Sequence, residues 1–223
     1  MNTVLFERQF HAIQNHASHR IARFSSTLPP DCIVSSDSSA IAASLDKRAP
    51  RPAPVTEVSR LEIRVGKIVE VDVHPTLPKI FVEKIDLGEA EGPRTICSGL
   101  QGFLTKEDLL EKSCLVLANL KPRDLEGTPS NGMVLCASSS DHSEVQLVVP
   151  PDGAQVGELV TFEGHASEPV DAGNRAVKSW KKVGGSFATD ADGVAWYTGD
   201  DAPAQMNTSA GPCTAVIKEG PIG

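Results

Sequence analysis

Apolar and polar positions alternate along the chain from Leu61, and this pattern predicts β-strands. Leu61, Ile63 and Val65 are separated by charged residues, and Gly66 interrupts the pattern before Ile68. A period of two places every second side chain on the same face of a strand. A glycine within such a strand indicates a bulge or a sharp bend. The first strand is therefore expected to bend within its length.

Four further strands and one helix are predicted downstream. The helix is expected in TKEDLLEK, where Thr105 and Asp108 have the spacing of an N-cap and its reciprocal partner. The strands are expected at residues 80–87, 94–98, 114–119 and 132–137. Five short strands with one helix between the third and the fourth give the order of an OB-fold, which is a small Greek-key barrel. The sequence therefore predicts an all-β barrel with one short helix.

Two loops of the predicted barrel are candidates for a binding groove. In an OB-fold, oligonucleotides lie across strands two and three, flanked by the loops that join strands one to two and four to five. Those loops are residues 74–79 and 120–131. The second loop lies in NLKPRDLEGTPSNGMVLCAS, where Lys-Pro, Gly-Thr-Pro and Asn-Gly steps indicate turns. We expect this loop to form one side of the groove.

The first 30 residues have a different pattern, with apolar residues at the three- and four-residue spacing of a helix. The opposite face carries arginine and histidine against one acid, Glu7. An amphipathic, arginine-bearing, acid-poor segment that runs into Ser25 is typical of a mitochondrial or plastid transit peptide. The alternative is a partner-docking helix or a disordered tail on a cytoplasmic protein. Residues 31–57 are rich in Ser and Pro and predict a disordered linker before the barrel.

The net charge of −8 is unevenly distributed along the chain. Residues 1–57 hold six Lys/Arg and five Asp/Glu, residues 58–165 hold ten and seventeen, and residues 166–223 hold five and seven. Nucleic-acid-binding domains usually have a basic balance or a basic face. Composition alone therefore does not indicate a nucleic-acid partner.

Motifs that carry chemistry are missing from the sequence. Its five cysteines form no C-x-x-C pair, which argues against a disulfide framework and a zinc site. It has no P-loop and no G-x-G-x-x-G, G-x-S-x-G or H-E-x-x-H motif. No apolar run approaches the roughly 18 residues needed to cross a bilayer. We expect a protein that is not an enzyme, with no cofactor, no metal and no membrane partner.

Four segments occur in the order and spacing of a known family. LEIRVGKIVEVDVHP, KIFVEKIDLGE, PRTICSGLQGF and NLKPRDLEGTPSNGMVLCAS resemble the tRNA-binding OB-fold domain, and the resemblance covers roughly residues 60–165. That domain occurs in bacterial structure-nonspecific tRNA-binding proteins and at the C-termini of some methionyl- and tyrosyl-tRNA synthetases. It also occurs in cofactors of multi-synthetase complexes, including the precursor of endothelial-monocyte-activating polypeptide. The resemblance implies a barrel domain at residues 58–165.

The resemblance continues into residues 166–223. The eukaryotic branch of the family has a second domain whose landmarks resemble Lys178-Ser179-Trp180, Tyr197-Thr198-Gly199, Gly211-Pro212-Cys213 and Gly220-Pro221-Ile222. That domain resembles half of the bacterial homodimer interface. The resemblance therefore implies a small β-rich domain packed on the barrel, and a monomer.

The resemblance also implies partners and site residues. The partners are tRNA, held with little sequence specificity, and an aminoacyl-tRNA synthetase of the methionyl or tyrosyl type. The positions that bear on tRNA in the family correspond to Asn119, Lys121, Arg123, Ser130 and Met133. The other cations expected near the groove are Lys67, Lys79, Lys84 and Arg94.

Some of these residues have a structural alternative. Lys67, Lys84 and Arg94 alternate with apolar residues, as on a solvated sheet face. For Met133 we favour packing inside the barrel over contact with RNA. Trp180, among lysines, could stack on a base or cover a domain seam, and we favour the seam.

The loop at residues 120–131 departs from the family pattern in its charge. Asp124 and Glu126 stand where the family usually has basic residues. Each acid removes one potential phosphate contact and adds repulsion, since contacts between cations and phosphates supply most sequence-independent affinity. We expect weaker tRNA binding than is usual in the family. A scaffold of a synthetase complex with weak or lost RNA binding is the alternative.

Overall fold

The structure is a computed structural model that describes residues 53–199 and 203–223. The expected transit peptide or helix at residues 1–30 and the linker up to residue 52 lie outside the described residues. The described residues belong to one compact unit, Pro50–Gly223. A 3₁₀ turn at Val58–Arg60 precedes the first strand.

The fold is built mainly from short β-strands. In chain order the elements are β1 Ile63–Val73, β2 Phe81–Asp86, β3 Arg94–Ser98, α1 Lys106–Leu109, β4 Ser113–Leu117, β5 Arg123–Leu125, β6 Thr128–Ser130, β7 Met133–Val134, β8 Cys136–Ser138, β9 Val145–Leu147, β10 Thr161–Phe162, α2 Asn174–Val183, β11 Phe187–Thr189, β12 Ala195–Tyr197, β13 Ala204–Thr208 and β14 Gly211–Pro212. The expected helix cap is confirmed, because Thr105 and Asp108 form a reciprocal capping box at α1.

Five strands form an antiparallel barrel in the order β3-β2-β1-β4-β7. The long strand β1 pairs with β4 over residues 63–67 and with β2 over residues 67–73, so one strand serves two sides of the barrel. The barrel closes where the Asn131 N–H donates to the Thr95 carbonyl at 2.9 Å. The Cys97 N–H also donates to the Ser130 hydroxyl at 3.0 Å. The predicted barrel is thereby confirmed.

The irregularity expected in β1 lies beyond its glycine. The register of β1 against β2 shifts between Ile68 and Glu70. Packing leaves no room for a side chain at Gly66, since a Cβ there would lie 2.7 Å from Ile85 Cγ2 and 2.9 Å from Leu87 Cδ2. The glycine therefore admits two core side chains, and the bulge forms two residues later.

The loop expected at residues 120–131 contains a hairpin of its own. Strands β5 and β6 pair antiparallel, with Leu125 opposite Thr128. The two residues between them, Glu126 and Gly127, have φ values of 49° and 89°. Positive φ at both central residues is the mark of a type I′ turn, whose twist matches that of the flanking strands. Local turn geometry therefore orders a segment whose polar residues gave no strand signal.

Residues beyond the barrel form a second β-rich layer with one helix. The sheet has the order β10-β13-β12-β11, and β14 pairs with β13. The helix α2 packs through Trp180, whose ring stacks on Phe187 at a centroid distance of 5.5 Å. The predicted β-rich C-terminal region is confirmed, whereas α2 was not predicted. Trp180 covers the core of this region, as expected for a seam.

One hydrophobic cluster joins the two regions. Barrel residues such as Ile63 and Leu117 share it with Phe187, Tyr197 and Met206. A second cluster fills the barrel interior. The C-terminal end is also anchored on the barrel, because backbone groups of residues 136 and 223 exchange two hydrogen bonds of 3.0 Å. The domain boundary at residues 165–166 stays a prediction.

Two observations concern membrane spans and metal sites. In the described part of the chain, no helix is long and apolar enough to cross a membrane. Within the same ranges, no group of three or more His, Cys, Asp and Glu residues is placed to hold a metal ion. The four described cysteines are free.

Candidate nucleic-acid interface

A buried histidine ties together the two loops that flank the expected groove. His74, on the loop between β1 and β2, is 2% exposed. Its Nδ1 accepts hydrogen bonds from the backbone N–H groups of Thr76 and Leu77 at 3.3 and 3.1 Å. The neutral tautomer that fits carries its proton on Nε2, which lies 2.9 Å from the Leu125 carbonyl in the β5–β6 hairpin. The ring therefore positions one loop against the other.

The two acids of the hairpin also have structural partners. The Asp124 carboxylate accepts a hydrogen bond from the Gly127 N–H at 2.8 Å and so supports the turn. The Glu126 carboxylate accepts from the Thr76 hydroxyl at 2.5 Å, which is a second link between the loops. Both acids remain exposed. Their place in the chain is thus explained by loop geometry, although their charge still opposes an anionic ligand.

Three of the nine predicted site residues are cations on these two loops, and a fourth lies on β2. Lys79 lies on the first loop, and Lys121 and Arg123 lie on the second; all three are exposed. None of them takes part in an ion pair with the residues described. Lys84 lies on β2, where its Nζ donates to the hydroxyl of Thr95 on β3 at 2.7 Å. The site therefore offers three unpaired cations and one that is hydrogen-bonded.

Two other predicted cations are engaged elsewhere in the barrel. Lys67 forms an ion pair of 2.5 Å with Glu111. It stands six residues before the end of β1, which is roughly 20 Å along a strand from the loop. The Arg94 guanidinium holds Glu89 at 2.6 Å and also donates to the carbonyls of residues 118 and 131. Ion pairing with Arg94 lowers the pKa of Glu89. The structure gives Lys67 and Arg94 partners within the protein, and RNA contact by either residue stays a prediction.

Asn119 is buried at a junction and does not line the groove. It is 1% exposed. Its Nδ2 donates to the carbonyls of Arg60 and Val170 at 2.8 and 2.9 Å, and its Oδ1 accepts from the Glu62 N–H at 3.1 Å. The side-chain amide is fully used within the protein. Its place in the family pattern is consistent with positioning the residues around it.

Ser130 and Met133 also contribute to packing. The Ser130 hydroxyl accepts from the Cys97 N–H and helps to close the barrel. Met133 is half-buried and packs on the cluster shared by the two regions. Ser130 is the last residue of the hairpin strand β6, and Met133 begins β7. Contact with RNA stays a prediction for each residue.

Two polar residues of interest were not predicted as site residues. The sequence places His74 in the loop at residues 74–79 but does not indicate its partner, because Leu125 is distant in sequence. Glu83 is 0% exposed and points into the barrel. Its Oε1 accepts from the Ser98 hydroxyl at 2.6 Å, whereas its Oε2 has no partner among the described residues. Burial raises the pKa of Glu83 to about 7. Its alternation with Phe81 and Ile85 was the available signal for an inward-facing acid.

Comparisons with known proteins agree with this architecture. A family model described as "Putative tRNA binding domain" matches residues 63–159. The C-terminal domain of Plasmodium vivax p43 is similar in structure, with a TM-score of 0.68 and 36% identity, covering 74% of this chain and 98% of that one.

Curated proteins with similar sequences include a synthetase and a cofactor. A probable methionine–tRNA ligase of Oryza sativa subsp. japonica is 44% identical over 156 residues, which is 70% of this chain and 19% of that protein. The tRNA-aminoacylation cofactor arc1 of Schizosaccharomyces pombe is 37% identical over 151 residues, which is 67% of this chain and 33% of that protein. The chain thus spans about a fifth to a third of the length of these curated relatives. By sequence and by fold, the chain belongs to the tRNA-binding domain family that these proteins share.

Proposed function

We propose that the chain is a non-catalytic module that binds tRNA through the two joined loops of its barrel. The main supporting observation is that Lys79, Lys121 and Arg123 are exposed on loops held together by His74 and form no ion pair with the described residues. Lys84 on β2 is a fourth candidate cation. Such a surface meets phosphates, and it has few groups that could read a base edge. Recognition would therefore follow the shape of the RNA.

The names of the relatives support an auxiliary role in aminoacylation. They include methionine– and tyrosine–tRNA ligases and a tRNA-aminoacylation cofactor. In this role the module raises the local concentration of tRNA near a synthetase of the methionyl or tyrosyl type. Co-purification of a synthetase with the full chain after nuclease treatment tests this partner. Recovery only before nuclease treatment would contradict a direct protein contact.

The groove is tested by removing two of its unpaired cations. Replacing Lys121→Gln together with Arg123→Gln should lower the slope of log K against log salt by about 1.4 to 1.8, at roughly 0.7 to 0.9 per phosphate contact. Labelled tRNA is titrated by fluorescence anisotropy at several salt concentrations. The matched control is Lys112→Gln with Lys218→Gln, which removes two exposed cations that lie outside both loops and form no ion pair with any described residue. An equal loss in both variants would contradict a site at the groove.

Substitutions of the two acids in the β5–β6 hairpin distinguish this function from that of a scaffold that has lost RNA binding. Asp124→Asn with Glu126→Gln removes two charges while keeping oxygen acceptors for Gly127 and Thr76. Substitution by Lys and Arg would remove those acceptors as well, so it tests charge less cleanly. The amide variant should bind tRNA several-fold more tightly, because two repulsive charges are gone. Unchanged affinity would favour the scaffold.

A further inference from the structure

The helix α2 carries an unusual concentration of positive charge for an acidic protein. Its ten residues include Arg175, Lys178, Lys181 and Lys182, and no Asp or Glu. The opposite side is apolar, with Ala176 and Val183 buried and Trp180 stacked on Phe187. Residues three and four apart share a face of a helix. The cations therefore form one exposed face, which we call the α2 basic face.

A cavity of about 310 Å³ lies between the α2 basic face and the turn before β1. Five cations and one carboxylate line it, and the fifth cation is Arg60. The carboxylate, Glu57, accepts from Lys182 at 2.6 Å, from Ser179 at 2.7 Å and from Arg60 at 2.9 Å. The bonds from Lys182 and Ser179, with the Arg60 guanidinium, hold the pKa of Glu57 down to about 2. Glu57 is therefore ionised at neutral pH.

Glu57 offsets only part of the positive charge. Its ion pairs engage Arg60 and Lys182. Within the described residues, Arg175, Lys178 and Lys181 form no ion pair. Three long cationic side chains thus face solvent around a concave surface. Cations clustered around a concave surface reinforce one another's field and attract anions, so this arrangement suits an anionic ligand.

The α2 basic face is connected to the groove through Asn119. The Asn119 carbonyl accepts from the Gly173 N–H at 3.0 Å, one residue before α2 begins. Its side chain binds the Arg60 carbonyl at 2.8 Å, and Lys121 follows two residues later. The three segments that carry Arg60, Lys121 and the cations of α2 therefore meet at the buried Asn119. The fold places the α2 basic face next to the base of the cationic loop.

We propose that the α2 basic face binds the phosphate backbone of the same structured RNA that the barrel loops hold. This inference rests on the proposed function and extends its footprint from the barrel to the C-terminal region. A protein partner is less well matched, because protein interfaces are anchored by apolar and aromatic side chains. The one large aromatic ring of α2, Trp180, is committed to Phe187. What the face offers is positive charge, which phosphates require.

The test removes two cations from α2 in the full chain. Lys178→Gln with Lys181→Gln should weaken tRNA binding roughly 25- to 60-fold at 0.1 M salt, from two contacts at about 0.7 to 0.9 log units each. The matched control is again Lys112→Gln with Lys218→Gln. Circular dichroism and thermal unfolding establish that each variant is folded. A loss no larger than that of the control overturns the inference.

A second variant should change affinity in the opposite direction. Glu57→Gln keeps hydrogen-bond acceptors for Ser179 and releases Arg60 and Lys182 from ion pairs. It should strengthen tRNA binding about five- to eightfold for each cation released onto a phosphate at 0.1 M salt. A damaged fold would not produce a gain. Unchanged or weaker binding contradicts a phosphate site on α2.

Comparison with the groove variant separates the two proposals. If Lys121→Gln with Arg123→Gln weakens binding and the α2 variant behaves like the control, the inference fails and the proposed function stands. If neither differs from the control, both fail. Binding to poly-L-glutamate is measured in parallel. If the α2 variant loses only this binding, the face serves an acidic protein and the inference is overturned.

Discussion

At the scale of single residues, Glu83 has the environment that suits its chemistry least. One carboxylate oxygen is bonded to Ser98, and the other is buried without a partner among the described residues. The three cysteines that surround it, Cys97, Cys114 and Cys136, have their pKa values raised by burial and then by the charge of Glu83. A neutral Glu83 avoids a buried, uncompensated charge.

Glu83 should therefore make stability depend on pH. Its pKa is raised from 4.5 to about 7 in the folded chain, so the folded state binds more protons than the unfolded state between these values. The contribution of Glu83 to stability is greatest below pH 4.5 and is lost as pH rises to about 7. This loss amounts to roughly 3 kcal/mol at 1.36 kcal/mol per pKa unit. Urea unfolding at pH 5 and pH 8 measures this fall. In Glu83→Gln most of the fall should disappear. An equal fall in the variant would show that other groups cause it.

At the scale of elements, the β5–β6 hairpin is held more by its neighbour than by its own sequence. The hairpin pairs three residues with three. A hairpin this short is marginal by itself in water. His74 and Thr76 from the other loop each supply a hydrogen bond to it. The shape of the groove thus depends on a contact between two loops.

Breaking that contact should weaken tRNA binding without changing its salt dependence. His74→Asn shortens the side chain and loses the bond to Leu125, so the cations on the two loops are no longer held in one arrangement. We expect on the order of a tenfold loss of affinity, equal to about 1.4 kcal/mol, with an unchanged slope because no cation is removed. Anisotropy titrations over a salt series measure both quantities. His142→Asn, at an exposed position in another loop, is the control. An unaltered affinity would show that the loops are positioned independently of His74.

At the scale of the whole molecule, the barrel and the C-terminal region stabilise each other. They share a hydrophobic cluster, and residues 221 and 223 form backbone hydrogen bonds with residues 138 and 136 of β8, just after the last barrel strand. Ile222 is buried in that cluster. The proposed RNA footprint follows the same connection, since Asn119 joins the cationic loop to α2.

Removing the last four residues should therefore destabilise the barrel as well as the C-terminal region. Deletion of residues 220–223 takes away a buried isoleucine and the backbone partners of Cys136 and Ser138. Loss of such a side chain alone costs about 2–5 kcal/mol. Hydrogen exchange of the β4 amides, inside the barrel, should accelerate. Ile222→Val should give a smaller effect of about 0.5–1.5 kcal/mol. Unchanged exchange in β4 would mean that the barrel is stable without the C-terminal region.

The sequence by itself determined the barrel, because its signals are local. Alternating residues predicted β1, and the strands expected at residues 80–87, 94–98 and 114–119 form as β2, β3 and β4. The strand expected at residues 132–137 is divided into β7 and β8. A spacing of three predicted the cap of α1. Family motifs also indicated which loops carry the cations. The hairpin within the second loop was missed, because its turn depends on positive φ at Glu126 and Gly127 and on support from His74. The helix α2 was missed as an element, although four cations and no acid in ten residues were a visible signal.

Only the tertiary structure decided which polar residues are available to a ligand. Lys67, Arg94 and Lys121 carry the same charge, yet Lys67 and Arg94 form ion pairs with acids, whereas Lys121 forms none in the described part of the chain. The polar side chains of Asn119 and Ser130 are engaged in hydrogen bonds within the protein. Availability depends on neighbours that are distant in sequence, such as Glu111 for Lys67. Strand periodicity is a property of the local chain, whereas ion pairing and burial are properties of the folded whole.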